Sequence, residues 1–189
     1  IKAVFLDRDG TINIERNYIT TPNRITLIKS SVEAIRIFNN LGIKVFVITN
    51  QSAIARGYMT LEEYYIVNSR FLDLLKNNNV FADKVYFSPY HIDGKIKKYK
   101  KFDISRKPNP GMLFQASKEY SIPLNESWLI GDNVNDIKAG CNANIFGCTL
   151  VLTGHGKKFR KEVLNLKYKS QIKIKKNLFE ATKDILNVN

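Results

Sequence analysis

Along the chain, short unbroken apolar runs alternate with stretches whose apolar residues recur every three or four positions. Five runs, KAVFL (2–6), KVFVIT (44–49), KVYF (84–87), SWLI (127–130) and TLVL (149–152), are rich in β-branched and aromatic residues. They lack the alternation of a strand with one wet face, which predicts strands buried on both sides. Between them lie helical patterns. SSVEAIRIFNNLG pairs Ser30 with Glu33 as a capping box, aligns Val32, Ile35 and Phe38, and stops at Gly42. TLEEYYIVNSRFLDLLK repeats the device with Thr60 and Glu63, and stacks Leu61, Tyr64, Val67, Phe71 and Leu74 or Leu75. NPGMLFQASKEY predicts a helix with Asn109 as N-cap and Pro110 in its first turn, and VNDIKAGCNA a short helix after Asp132.

Regular alternation of buried strands and helices predicts an α/β fold with a central parallel sheet covered on both faces. No repeat or linker-like stretch divides residues 1–189, so one domain is expected. In such sheets ligands bind outside the carboxyl ends of the strands. The residues able to do chemistry lie there: Asp7 and Asp9 after the first run, Thr49 and Asn50 at the end of the second, Asp132 and Asp136 after the fourth. Lys107 ends the insert that follows the third.

Composition changes this picture little. Hydrophobic residues make up 44% and charged residues 25% of the chain, and no segment approaches a membrane span. The apolar run from Ala3 to Leu6 is too short for a signal-peptide core, so a cytoplasmic protein is expected. Cys141 and Cys148 have no second pair to complete a zinc site and read as buried free thiols. The net charge of +13 is uneven, with one cluster at Lys95, Lys97, Lys98, Lys100, Lys101, Arg106 and Lys107 and ten basic against three acidic residues in 151–189. Lys169, Lys173 and Lys175 alternate with other residues as on the solvated face of a strand or loop. Composition bias explains such an excess in a Lys-, Ile- and Asn-rich chain, and nucleic acid is not the expected partner.

Two carboxylates at the end of a buried strand repel each other unless a cation offsets them. Carboxylates and carbonyls with no Cys or His nearby suit Mg²⁺, with Asp132 as a third carboxylate and Asp136 in support. Thr49 and Lys107 add a hydroxyl donor and a fixed positive charge, which a phosphate requires and a metal does not. The set predicts phosphoryl transfer: Asp7 attacks phosphorus, and Asp9 protonates the leaving alkoxide and then takes a proton from water.

In their order, DRDGT, Thr49 in VITNQS, Lys107 in RKPNPG and GDNVND resemble the four motifs of the haloacid dehalogenase superfamily of phosphatases. DRDGTIN, the NY at 17–18, TNQSAIARG and SRKPNPGM are similar to the D-glycero-D-manno-heptose 1,7-bisphosphate phosphatases, with the histidinol-phosphate phosphatases as nearest relatives. The resemblance covers residues 2–152. It implies a three-layer Rossmann-like domain without a large cap, which the short spacings between Asp7, Thr49 and Lys107 also suggest. It implies removal of the 7-phosphate of a heptose bisphosphate in heptose-nucleotide synthesis for surface polysaccharide. It further implies Asp7 as nucleophile, Asp9 as acid/base, and Mg²⁺ on Asp7, the Asp9 carbonyl and Asp132, with Thr49 and Lys107 on the transferring phosphate. Glu15, Arg16, Asn17, Tyr18, Asn50, Gln51, Ser52 and Arg106 would face the sugar and its second phosphate.

The chain departs from that pattern in three places. Where the family carries a cysteine-rich zinc clip it has Ser88, Tyr90, Asp103 and Ser105, so no zinc is expected, and His91 reads as a surface or hydrogen-bonding histidine. The altered loop is then held by packing of Tyr99 and Phe102, or is mobile. Asn133, counted with the substrate-binding set, stands where relatives commonly have a basic residue, and Ala53 where glycine is usual. His155, between two glycines, reads as a flexible loop histidine. A histidinol-phosphate phosphatase, a nucleic-acid 3′-phosphatase and a non-catalytic phosphate-binding protein are the alternatives, and a monomer is expected.

Overall fold

All five apolar runs form strands, and the computed structural model, which describes residues 1–187, adds a sixth. β1 (Ala3–Leu6), β2 (Lys44–Asn50), β3 (Lys84–Ser88), β4 (Ser127–Gly131), β5 (Gly147–Val151) and β6 (Gln171–Lys175) make one parallel sheet in the order β3-β2-β1-β4-β5-β6. Successive side chains of each central strand face opposite layers, which is why the runs are apolar throughout. Val4, Leu6, Val45, Val47 and Ile130 pack with α1 (Lys29–Asn40), α3 (Leu61–Asn77) and α7 (Leu178–Leu186). Ala3, Phe5, Phe46, Ile48, Leu129 and Leu150 pack with α4 (Gly111–Tyr120), α5 (Val134–Asn142) and α6 (Gly156–Leu164). Each fully buried Leu, Ile or Phe contributes about 1.5–3 kcal/mol.

Strand order turns back on itself at β1: β2 and β3 lie on one side, β4 to β6 on the other. Leu6 is in register with both Val47 and Ile130, and Asp7 N–H donates to the Ile130 carbonyl at 3.0 Å. The loops after β1, β2 and β4 are thereby brought to one crevice. A short helix, α2 (Ser52–Arg56), starts directly beyond β2.

Several local expectations change. Thr60 and Glu63 form the expected capping box, with reciprocal bonds of 3.1 and 2.6 Å. Ser30 and Glu33 form none: α1 begins at Lys29, its N-cap Ile28 is pinned by a 2.9 Å bond from its N–H to the Ile12 carbonyl, and Ser31 donates to the Thr11 carbonyl at 2.7 Å. Pro110, not Asn109, is the N-cap of α4, because the Asn109 amide is turned to the Asp103 carbonyl at 3.2 Å. β5 begins two residues earlier than its apolar run. The tail is built into the sheet as β6, where Lys173 and Lys175 flank Asp184 of α7, and α7 is capped by Asn177. Trp128 is core, its indole N–H bound to Thr149 at 2.9 Å, and Cys141 and Cys148 are buried free thiols. In the altered loop Tyr99 packs inward beside Tyr90, whereas Phe102 is 72% exposed and holds nothing.

Candidate active site

Asp7, Asp132 and Asp136 meet at the carboxyl edge of β1 and β4, each offering a carboxylate oxygen within 4.8 Å of the others, and all three are buried. Lys107 reaches them from the loop after β3. Its ammonium donates to Asp7 at 2.7 Å and to the Ile48 carbonyl at 2.7 Å, and pairs with Asp136 at 2.6 Å. Asn50 holds that loop in place, with its amide nitrogen bonded to the Lys107 carbonyl at 3.0 Å and its oxygen accepting the Lys107 N–H at 3.1 Å. Asn50 therefore positions Lys107.

Two of the three buried carboxylates, Asp7 and Asp136, share one ammonium. Burial, then the charge of Asp136, pushes the Asp7 carboxyl up to about 7 against the pull of Lys107. Burial, then Asp7 and Asp136, pushes Asp132 up to about 9. For Lys107 burial acts downward, but Asp136 and Asp7 outweigh it and hold the ammonium above the ordinary lysine value. A cluster of hard oxygens that resists ionisation on its own fits a divalent cation bound at Asp7 and Asp132. Asp136 is committed elsewhere: besides Lys107, it accepts the Asn133 N–H at 2.9 Å and closes the capping box of α5.

Asp9 has a different environment. Arg8, fully buried, grips it through two bonds of 3.2 and 3.0 Å, and Asn13 and Gln51 donate at 2.9 and 3.1 Å. Burial alone would raise this carboxyl, but Arg8, helped by Asn13 and Gln51, holds it below the usual carboxylate range. The Gln51 amide also donates to Thr49 Oγ1 at 2.8 Å, leaving the Thr49 hydroxyl hydrogen for a ligand.

Asp132 sits in a backbone cradle. Gly10 and Gly154, at φ 83° and 50°, close on its carboxylate so tightly that a Cβ on either would overlap it. The His155 N–H donates to Asp132 Oδ2 at 2.6 Å, and Thr153 Oγ1 donates to the Gly10 carbonyl at 2.6 Å. The segment 153–155 is thus a fixed wall, and His155 is not the flexible loop residue its flanking glycines suggest.

A cleft of about 420 Å³ opens above these groups and is lined by every expected site residue except Arg16. Asn17, at φ 63°, turns the chain so that Glu15, Asn17 and Tyr18 line the cleft, while Arg16 is exposed and offers its carbonyl to Arg24 at 3.2 Å. Ala53 also lines it, as do five residues that sequence reasoning left out of the site: Ile19, Arg56, His91, Asn135 and His155. His91 is placed by the altered loop, its Nδ1 accepting the Asp93 N–H at 3.0 Å and its Nε2 lying 3.2 Å from Arg56 Nη2. Arg106 is tied to the Tyr90 carbonyl at 3.1 Å. The basic end of a short helix directly after the Thr49 strand was the available signal for Arg56. Arg8 and Asn13 carried none, because their roles depend on turning inward. The five lysines between 95 and 101 are exposed.

Residues 104–180 match the HAD-hydrolase-like family. The chain is 41% identical over 154 residues, 81% of its length and 83% of the relative's, to the D-glycero-β-D-manno-heptose-1,7-bisphosphate 7-phosphatase of Pasteurella multocida. It belongs to the heptose bisphosphate phosphatases of the HAD-like hydrolases. The α-anomer-named enzyme of Photorhabdus laumondii is 39% identical over 82% of this chain and 85% of its own. The fold is that of the D,D-heptose 1,7-bisphosphate phosphatase of B. bronchiseptica, solved with magnesium and phosphate, with a TM-score of 0.85 over 99% of each chain at 22% identity. Among the described residues, no helix is long and apolar enough to cross a membrane.

Proposed function

We propose that the protein removes the 7-phosphate of D-glycero-D-manno-heptose 1,7-bisphosphate. The observation that carries the reading is a cleft with two anion-seeking ends. At one end Lys107, Thr49 and the carboxylate cluster surround the reacting phosphate. At the other, Arg56, His91 and Arg106 line the wall, and the Asp93 carboxylate, 3.8 Å from His91 Nδ1, is turned to solvent. Because His91 Nδ1 accepts the Asp93 N–H, the neutral ring carries its proton on Nε2, donor against donor at Arg56. Burial and the two arginines keep the His91 pKa low, and the Arg56 Nε is buried without a partner. An anion satisfies all of these groups at once.

Asp7 is the nucleophile. Its oxygen attacks phosphorus, the P–O bond to the sugar breaks, and the leaving alkoxide takes a proton from Asp9. Water then attacks the aspartyl-phosphate, gives its proton to Asp9, and releases phosphate with Asp7 restored. Arg8 keeps Asp9 ionised before substrate arrives; the charge of the bound phosphate dianion raises the carboxyl's affinity for a proton, which Asp9 takes from solvent before it passes one to the leaving alkoxide. Mg²⁺ held by Asp7, Asp132 and the Asp9 carbonyl would supply charge neutralisation on the phosphate oxygens. Thr49 donates to the phosphate, and Lys107 fixes Asp7 and screens its charge. In the loop at 88–105, Ser105 donates to Asp103 at 2.6 Å and meets Ser88 at 3.0 Å, so hydrogen bonds among these hard oxygen groups tie the loop together.

Phosphate release with Mg²⁺ tests the reading, comparing both heptose bisphosphate anomers with histidinol phosphate and a 3′-phosphorylated oligonucleotide, and Asp7→Asn as blank. A preference in kcat/KM of about a hundredfold for a heptose ester, roughly 2.7 kcal/mol, is expected. No preference for either anomer would overturn it.

A further inference from the structure

Glu15 and His155 face each other across the reacting side of the cleft. The Glu15 Oε2 to His155 Nε2 distance is 3.9 Å, too long for a hydrogen bond between them. The oxygen facing His155 is Oε2; the other, Oε1, is buried and has no hydrogen-bond partner, so the carboxylate as a whole is short of donors. Neither residue is loosely mounted. The His155 backbone is bonded to Asp132, and Glu15 follows the β1 loop whose Asn13 donates to Asp9. Glu15 lies close enough to Asp9 and Asp132 for its charge to act on both, which puts the pair at the reacting end of the cleft.

The gap has the size of one oxygen atom. A hydroxyl oxygen about 2.8 Å from each of two atoms 3.9 Å apart sees them at roughly 90°, donating its proton to Glu15 and accepting the His155 Nε2 hydrogen. We propose that Glu15 and His155 together grip a hydroxyl on the carbon next to the phosphate-bearing one, making His155 a specificity-determining residue. The inference rests on the phosphatase reading above and narrows its substrate class to esters with that neighbouring hydroxyl. A pocket that hydrogen-bonds a substrate hydroxyl rejects the analogue lacking it, because its own polar groups are then left unpaired. In a heptose 7-phosphate the group is the 6-hydroxyl, so the pair also reads the configuration at that carbon.

The test is the ratio of kcat/KM for heptose 1,7-bisphosphate to that for its 6-deoxy analogue, in wild type, His155→Ala, His155→Gln, Glu15→Gln and the double variant. Wild type is expected to favour the hydroxylated ester by about tenfold or more, the scale of a hydrogen bond to a charged group. His155→Ala brings the ratio towards one, and adding Glu15→Gln to it lowers the ratio no further; Glu15→Gln, which keeps an acceptor but loses the charge, and His155→Gln, which keeps a donor, each lower it and retain part of it. A wild-type ratio near one, or a ratio unchanged in both single variants, overturns the inference. If wild type hydrolyses no heptose ester, the substrate reading fails by itself, and the same ratio is measured with glycerol 3-phosphate against 1,3-propanediol phosphate.

Discussion

Replacing Lys107 with methionine tests the electrostatics of the site directly. The ammonium is 3% exposed and is held by Asp7, Asp136 and the Ile48 carbonyl at 2.6–2.7 Å. Methionine keeps the volume and removes the charge. Breaking a buried, hydrogen-bonded charge set by deleting one partner costs ~3–5 kcal/mol, since the other charges stay buried and uncompensated. For a chain of this size that is a fall in Tm of roughly 6–20 °C. The loss depends on pH. Asp7 and Asp132 have folded pKa values of about 7 and about 9, above the ordinary 3.8, so the native state binds more protons than the unfolded chain between those limits. Stability therefore falls as pH rises through that window. Without Lys107 the Asp7 carboxyl rises further and the fall steepens. The lysine's own pKa is raised, so its contribution is fully present below pH 10 and does not distort the comparison. At pH 5 both carboxyls hold protons in either protein, so the loss is confined to the pairing with Asp136 and the bonds to Asp7 and the Ile48 carbonyl, and is smaller than at pH 9. Thermal unfolding at pH 5 and pH 9, with and without millimolar Mg²⁺, reads this out. The variant should lose far more at pH 9 than at pH 5, with Mg²⁺ recovering part of the difference by binding the native state. Equal losses at the two pH values would refute the argument.

Asn50→Ala removes both bonds to the Lys107 backbone and is expected to lower kcat by roughly 10- to 100-fold, because a displaced Lys107 no longer orients Asp7. Steady-state kinetics beside a melting curve separate that from a loss of ~1–3 kcal/mol in stability. Gly154→Ala puts a Cβ into the Asp132 carboxylate at a φ of 50°, so the Mg²⁺ concentration for half-maximal activity should rise by roughly 10- to 100-fold. Thr60→Ala breaks the α3 capping box far from the cleft; a loss of ~1 kcal/mol with unchanged kcat is expected by differential scanning calorimetry and phosphate release.

Strands and chemistry were legible before any coordinates. Residues such as Val45, Phe46, Val47 and Ile48 must be apolar in succession when both faces of a strand are covered, and Asp7, Asp9, Thr49 and Asp132 had to emerge where those runs end. β6 and α7 were not legible, because an edge strand such as QIKIK is wet on one side and its pattern is shared with exposed loops. The Ser30 and Glu33 pair shows the same weakness locally. A capping box is a short-range preference of about 1 kcal/mol, and the bond from Ile28 to Ile12 together with burial of Ser31 decided otherwise.

Within the site, the one-dimensional pattern determined which groups meet in the cleft, since carboxylates, a hydroxyl and a lysine at the ends of parallel strands come to one edge of the sheet. Only the folded chain decided how they are divided. Arg8 turned inward to hold Asp9 ionised while Lys107 went to Asp7 and Asp136, so that carboxylates two residues apart acquired opposite tendencies. Arg56, His91 and His155 joined the cleft from positions separated in turn by 35 and 64 residues. Burial and charge act through distances in space, and sequence spacing carries those distances only within one turn or one strand.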